Sequence, residues 1–112
     1  MNEAGRAIKA RYAIATDGAT TQQGGAVAAS STGSLLDGRN IARVGDEVHY
    51  PDGRKAWITS GSWYVELCGR PIAVVGSRLN NGDFITISPQ SHSELIEFEG
   101  AQPMLAEYAM PA

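Results

Sequence analysis

Asp37-Gly38-Arg39-Asn40-Ile41-Ala42-Arg43-Val44-Gly45-Asp46 is the stretch on which the fold turns, because it returns as Cys68-Gly69-Arg70-Pro71-Ile72-Ala73-Val74-Val75-Gly76-Ser77. Six of the ten positions are identical, pairing Gly38, Arg39, Ile41, Ala42, Val44 and Gly45 with Gly69, Arg70, Ile72, Ala73, Val75 and Gly76. Upstream the match continues, with Leu36 against Leu67, Ser31 against Ser62 and the apolar Val27 against Ile58. A weaker copy, Ile14-Ala15-Thr16-Asp17-Gly18, keeps the shared core of Ile-Ala, two residues, then Gly. Self-similarity of this kind marks repeated supersecondary units, and the chain reads as three of them.

Each unit reads as strand. Asp37-Gly38 separates Leu35-Leu36 from Ile41–Val44, a turn dipeptide between two apolar runs. Cys68-Gly69 occupies the same point in the next unit, after an alternating stretch in which Trp63, Val65 and Leu67 oppose Tyr64 and Glu66. Pro51-Asp52-Gly53 and Asn80-Asn81-Gly82 are further turns, the latter followed by Phe84, Ile85 and Ile87 as a return strand. No helical period appears between Gly18 and Ser88, so the expected class is all-β. The ends read differently. Met1–Arg11 is an arm or frayed helix, while Ser93–Glu99 and Met104–Met110 are short amphipathic stretches that suit brief helices covering an exposed edge, or a docking tail.

The 112 residues make one domain, and much of the 43% apolar fraction is alanine, so the core is thin. Net charge is −3 with no basic stripe, which argues against nucleic-acid binding. One cysteine, Cys68, excludes an internal disulfide. No apolar run approaches membrane-spanning length, and Met1–Ala10 lacks the pattern of a signal peptide.

Three glycine-turned β units carrying Ile-Ala-Arg-x-Gly-Asp resemble the PAAR-repeat family, the tips of type VI secretion systems and related contractile phage tails. Asn40-Ile41-Ala42-Arg43-Val44-Gly45-Asp46 is the closest copy. The third copy has Val74 for the arginine and Ser77 for the aspartate, and the first has Thr16, Ala19 and Gln23 substituted. The resemblance implies a small pseudo-threefold cone of short strands and glycine turns with irregular or short helical termini. Residues 1–11 would be an arm, 12–90 the domain of three repeats, and 91–112 a C-terminal extension. Ile14, Gly18, Gly38, Ile41, Ala42, Gly45, Asp46, Gly69, Ile72, Ala73 and Gly76 would carry the repeat. It also implies a structural tip rather than an enzyme, capping a homotrimeric β-helical spike. Such a tip is assembled in the cytoplasm and delivered outside the cell, touches a membrane only transiently during piercing, and in some settings carries a toxin or effector.

Family members commonly pin the apex with a metal ion held by histidines and a cysteine. Here Gln23 stands at an expected histidine, Asp52 precedes Gly53 where another would be, Tyr50 falls near the usual cysteine, and Asn81-Gly82 replaces Cys-Gly. His49 is the one ligand-type residue left in these loops, because Cys68 belongs to a turn at the opposite strand end and His92 follows the third unit. Neutral amides are poor ligands for zinc or iron, so no cofactor is expected. Gln23, His49, Asp52 and Asn81 are expected to hydrogen-bond across the apex or to be solvated. Asp17, Asp37, Asp46, Asp52 and Asp83 all flank glycines and read as turn residues rather than acid/base pairs. The competing class is a small sandwich or barrel that binds a glycan or other ligand through Trp57, Trp63 and Tyr64.

Overall fold

A computed structural model describes residues 7–108. In chain order its strands are β1 (Ile8–Ala13), β2 (Thr20–Thr21), β3 (Ala26–Ala28), β4 (Leu35–Leu36), β5 (Arg39–Asn40), β6 (Glu47–His49) and β7 (Lys55–Trp57). There follow β8 (Ser60–Ser62), β9 (Glu66–Leu67), β10 (Arg70–Pro71), β11 (Ile85–Ile87), β12 (Glu94–Phe98) and β13 (Leu105–Glu107). No helix forms among the described residues, and the class is all-β.

The three Ile-Ala segments meet around one axis. Ala42 N–H donates to Ala15 O (2.9 Å), Ala73 N–H to Ala42 O (2.9 Å) and Ala15 N–H to Ala73 O (3.0 Å), so the bonds run in a closed ring. A second ring repeats the pattern: Asp17 N–H to Asn40 O, Val44 N–H to Pro71 O and Val75 N–H to Ala13 O, at 2.8 to 2.9 Å. The bridges Thr16↔Ile41, Arg43↔Ile72 and Val74↔Ile14 close the same triangle. All three alanines are fully buried. With three backbones this close, the methyl is the side chain that fits, which explains the Ile-Ala signature.

After each Ile-Ala segment a glycine turns the chain upward. Gly18, Gly45 and Gly76 have φ of 87°, 95° and 102°, a region that a Cβ disfavours. Their N–H groups donate to Val27, Ile58 and Ile85 O at 2.8 to 2.9 Å, and these three side chains are buried in the core. Three hairpins follow: β2–β3, β6–β7, and the bridge pair Arg78↔Phe84 leading into β11. They join as β11-β2-β3-β6-β7, and Ile58↔Leu79 closes the ring, so this small barrel leaves little open edge.

Below the alanine ring lie three more strand pairs: β4–β5, β9–β10 and β12–β1. The third is assembled from the two ends of the described chain and is longer, running from Ala13↔Glu94 to Ile8↔Phe98. The registers Leu36↔Arg39, Leu67↔Arg70 and Leu95↔Tyr12 make Leu36, Leu67 and Leu95 equivalent. The body measures 48 × 28 × 26 Å, one long axis with a nearly even cross-section.

Three expectations need correction. Glu94–Phe98 and Leu105–Glu107 are strands, not short helices: β12 finds the ladder of β1, and β13 pairs β8, so available edges override an amphipathic pattern. Residues 8–11 of the expected arm likewise belong to a strand, β1 (Ile8–Ala13), while residues 1–6 lie outside the described residues. The run Trp63–Leu67 is not one strand either. Ser62 Oγ accepts Tyr64 and Val65 N–H (3.2 and 3.1 Å), which bends the chain before β9 begins.

Candidate functional site

The apex is built by three loops of the same form. Gly24, Gly53 and Gly82 N–H donate to Thr21, Tyr50 and Leu79 O at 3.0 to 3.1 Å, and each glycine has φ near 90°. Gln23, Asp52 and Asn81 are therefore equivalent, as the sequence implied. The middle hairpin turns later, however. Tyr50 follows Asp46 by four residues, whereas Thr21 and Leu79 follow Ala19 and Ser77 by two. Its extra length lets the Tyr50 side chain fold back over the barrel mouth, where it is buried. Gly25 leaves the room, since a Cβ there would lie 2.9 Å from Tyr50 Cε1.

Asp83 is the centre of this apex. Its side chain is 1% exposed, and Tyr50 Oη donates to Oδ2 at 2.6 Å. Oδ1 accepts Gln23 N–H at 3.1 Å and Phe84 N–H at 2.8 Å. Asn81 Nδ2 donates to Tyr50 Oη (3.1 Å) while its Oδ1 accepts Asp83 N–H (3.0 Å). One carboxylate thus gathers donors from all three loops. Burial alone would raise the Asp83 pKa, but the bonds from Thr21, Tyr50, Phe84 and Gln23 outweigh it and leave the carboxyl below its ordinary range. The Tyr50 phenol moves up, chiefly from burial. Over the Tyr50 ring sits the Arg54 guanidinium, 5.3 Å from the centroid, itself held by Asp52 at 2.6 Å.

Of the four apex residues named from sequence, the structure brings Gln23 and Asn81 into this network, Gln23 through its backbone. Asp52 only organises its own loop. His49 lies on the outer face, half exposed, with Nε2 2.9 Å from Glu47. Thr21, Tyr50 and Asp83 were missed as apex residues; superposing the three loop glycines would have flagged Asp83, which stands where the others have Gly25 and Arg54.

The metal that the resemblance implies finds no matching donors at this apex. The Asp83 oxygens already accept three hydrogen bonds, one from each loop. Asn81 is oriented by its two bonds, and no thiol or imidazole faces inward. Among the described residues, no three His, Cys, Asp or Glu side chains come together. Cys68 is exposed in the turn between β9 and β10, at the other end.

That other end repeats threefold. Alternation along each Ile-Ala segment places Ile14, Ile41 and Ile72 on the face opposite the core-packed alanines, Ile14 and Ile41 half-buried and Ile72 buried. Leu36, Leu67 and Leu95 lie half-buried in the strand pairs beside them, and Leu35 is 61% exposed. Behind this face Asp46 Oδ2 accepts Arg43 N–H (2.9 Å), and Ser77 Oγ accepts the equivalent Val74 N–H (3.0 Å). The serine thus does the turn work of the aspartate. Arg43 is buried and reaches Leu67 O and Ser30 Oγ, each at 2.9 Å; Ser30 in turn bonds Asp46 at 2.7 Å.

The three aromatics of the alternative reading do not assemble. Trp63 and Tyr64 form a tilted pair, 5.1 Å between centroids, on a groove of about 200 Å³ with Ile96, Phe98 and Met104. Trp57 lies instead on β7, its N–H bonded to Asn80.

In comparisons with known proteins, the family model for the PAAR motif matches residues 17–86, the span of all three upper hairpins. No curated protein matches the chain.

Proposed function

The chain belongs to the PAAR-motif family, and from that premise we propose that it is the structural tip of a contractile injection machine, capping the triangular end of a homotrimeric β-helical spike. One observation carries this reading: the closed ring of bonds among Ala15, Ala42 and Ala73 gives a single polypeptide three equivalent lobes. A homotrimer presents three equivalent surfaces at its end, and a chain of this symmetry meets each with a like surface. The contact is assigned to the base, through the half-buried Ile14 and Ile41 with Leu36, Leu67 and Leu95. Covering them removes apolar area from water at about 25 cal/mol per Å². The role is mechanical, not catalytic. The sealed apex leads, the tip is assembled inside the producing cell and leaves with the spike, and membrane contact lasts only through piercing. Cargo such as a toxin would attach away from apex and base.

Electron microscopy of the cognate spike trimer with and without this chain tests the proposal. A blunt shaft should become pointed when the chain is added; a shaft unchanged at saturating chain refutes it. The Trp63–Tyr64 pair favours a second reading, ligand binding in the adjoining groove, which predicts glycan binding that Trp63→Ala abolishes.

A further inference from the structure

The family resemblance leads one to expect a metal at the apex, and the side chains there are of another kind. We infer that the tip is stapled by the buried Asp83 carboxylate in place of a metal ion, and that its order is independent of zinc or iron. A structural metal ties loops together by drawing several lone pairs onto one cation. Asp83 does the converse, drawing N–H and O–H donors onto one anion. The donors come from separate loops: Gln23 N–H from the first, Tyr50 Oη from the second, Phe84 N–H from the third. Asn81 completes the arrangement by bonding both Tyr50 and the Asp83 backbone.

The remaining geometry supports the same assignment. A cation at this point would have to displace hydrogen-bond donors that are already seated, at distances down to 2.6 Å. The imidazole of His49 is turned to Glu47 on the outside. Tyr50 stands near the position that the family pattern gives to a cysteine, and its longer side chain spans the mouth of the barrel with a donor at its end. The replacement therefore involves several positions at once: a small residue at Gly25 to admit the ring, a carboxylate at Asp83 to receive the hydroxyl, and an amide at Asn81 to hold both.

The test uses the isolated full chain, so its outcome is separate from that of the spike reading. The protein is produced in medium supplemented with zinc and iron, dialysed, and analysed for metals; melting is followed with and without a chelator. Amide hydrogen exchange is then compared among wild type, Asp83→Asn, Tyr50→Phe and His49→Ala. The expected result is no stoichiometric metal, no change in melting with chelator, and wild-type exchange in His49→Ala. Exchange at Gln23 and Phe84 should accelerate by about tenfold or more in Asp83→Asn, since a buried donor loses its charged acceptor. Tyr50→Phe keeps the ring and should show a smaller acceleration, which preserves the test if Asp83→Asn does not fold. Metal near one per chain whose removal lowers the melting temperature would overturn the inference. So would wild-type exchange at Gln23 and Phe84 in either apex variant.

Discussion

Replacing Gly25 with alanine probes the apex through shape alone. The added methyl would lie 2.5 Å from Val48 Cγ1, 2.9 Å from Tyr50 Cε1 and 3.0 Å from Thr21 Oγ1. Gly25 is not in the left-handed region, so the backbone itself accepts alanine. Neither near neighbour retreats easily: Val48 is fully buried, and Tyr50 is tethered to Asp83. Overpacking of this kind costs about 1–3 kcal/mol. Stiffening the unfolded chain offsets about 0.4–1 kcal/mol of that. The net loss is about 1–2 kcal/mol, which lowers Tm by roughly 4–8 °C in a chain of this length. Gly24→Ala is the control, because it meets no atom within 4 Å and suffers only from its φ of +87°. Thermal melts of both variants, repeated in a Tyr50→Ala background, separate the causes. The cost of Gly25→Ala should shrink by about 1 kcal/mol once the ring is gone, as for residues in contact, while that of Gly24→Ala should not. If Gly25→Ala is tolerated, or costs the same with and without the ring, Tyr50 does not lie where the argument puts it.

Three further outcomes follow from the same geometry. Because the Asp83 pKa is depressed in the folded state, its contribution to stability is full above the unfolded carboxylate value of about 4 and is lost as pH falls through the lower folded value; urea midpoints should therefore hold from pH 7 to about 5 and fall below about 4. Asp83→Asn should flatten part of that acid limb, leaving the share of Glu97, whose depressed pKa comes first from Met104 N–H and then from Tyr12. Asp46→Ser alone removes the carboxylate that Ser30 links to the buried Arg43 guanidinium and that Arg70 pairs with at 3.6 Å, and should cost about 1–3 kcal/mol, whereas Arg43→Val with Asp46→Ser copies Val74 and Ser77 and should recover at least half in denaturant melts. Leu36→Asp or Leu67→Asp, at half-buried base positions, should abolish pull-down by the spike while lowering Tm by only a few degrees.

What the sequence disclosed and what it withheld divide along the range of the interactions. The Asp37-Gly38 and Cys68-Gly69 turns, with φ of 55° and 50° at Asp37 and Cys68, are local chemistry and were legible. So was the repeat, because the alanine ring restricts the same position three times. The third lower strand pair was not, since Tyr12 and Leu95 meet across most of the chain with no turn between them. Asp52 behaves as the turn residue it resembles, its Oδ1 accepting Arg54 N–H. Asp83 follows its loop glycine where Asp52 precedes one, and it is the hub of the apex. Its role depends on Tyr50 arriving from a longer hairpin, which no local pattern records. The bend at Trp63–Tyr64 escaped notice for a simpler reason: alternation suggested a strand, and the Ser62 hydroxyl competed successfully for its N–H groups.

Native mass spectrometry of the chain assembled on its spike is the most direct measurement of whether one polypeptide stands in for three. The expected species contains a single copy of this chain for every three spike subunits, with no free valence for a second. A complex holding three copies per trimer, or a spike that never acquires one, contradicts the assignment.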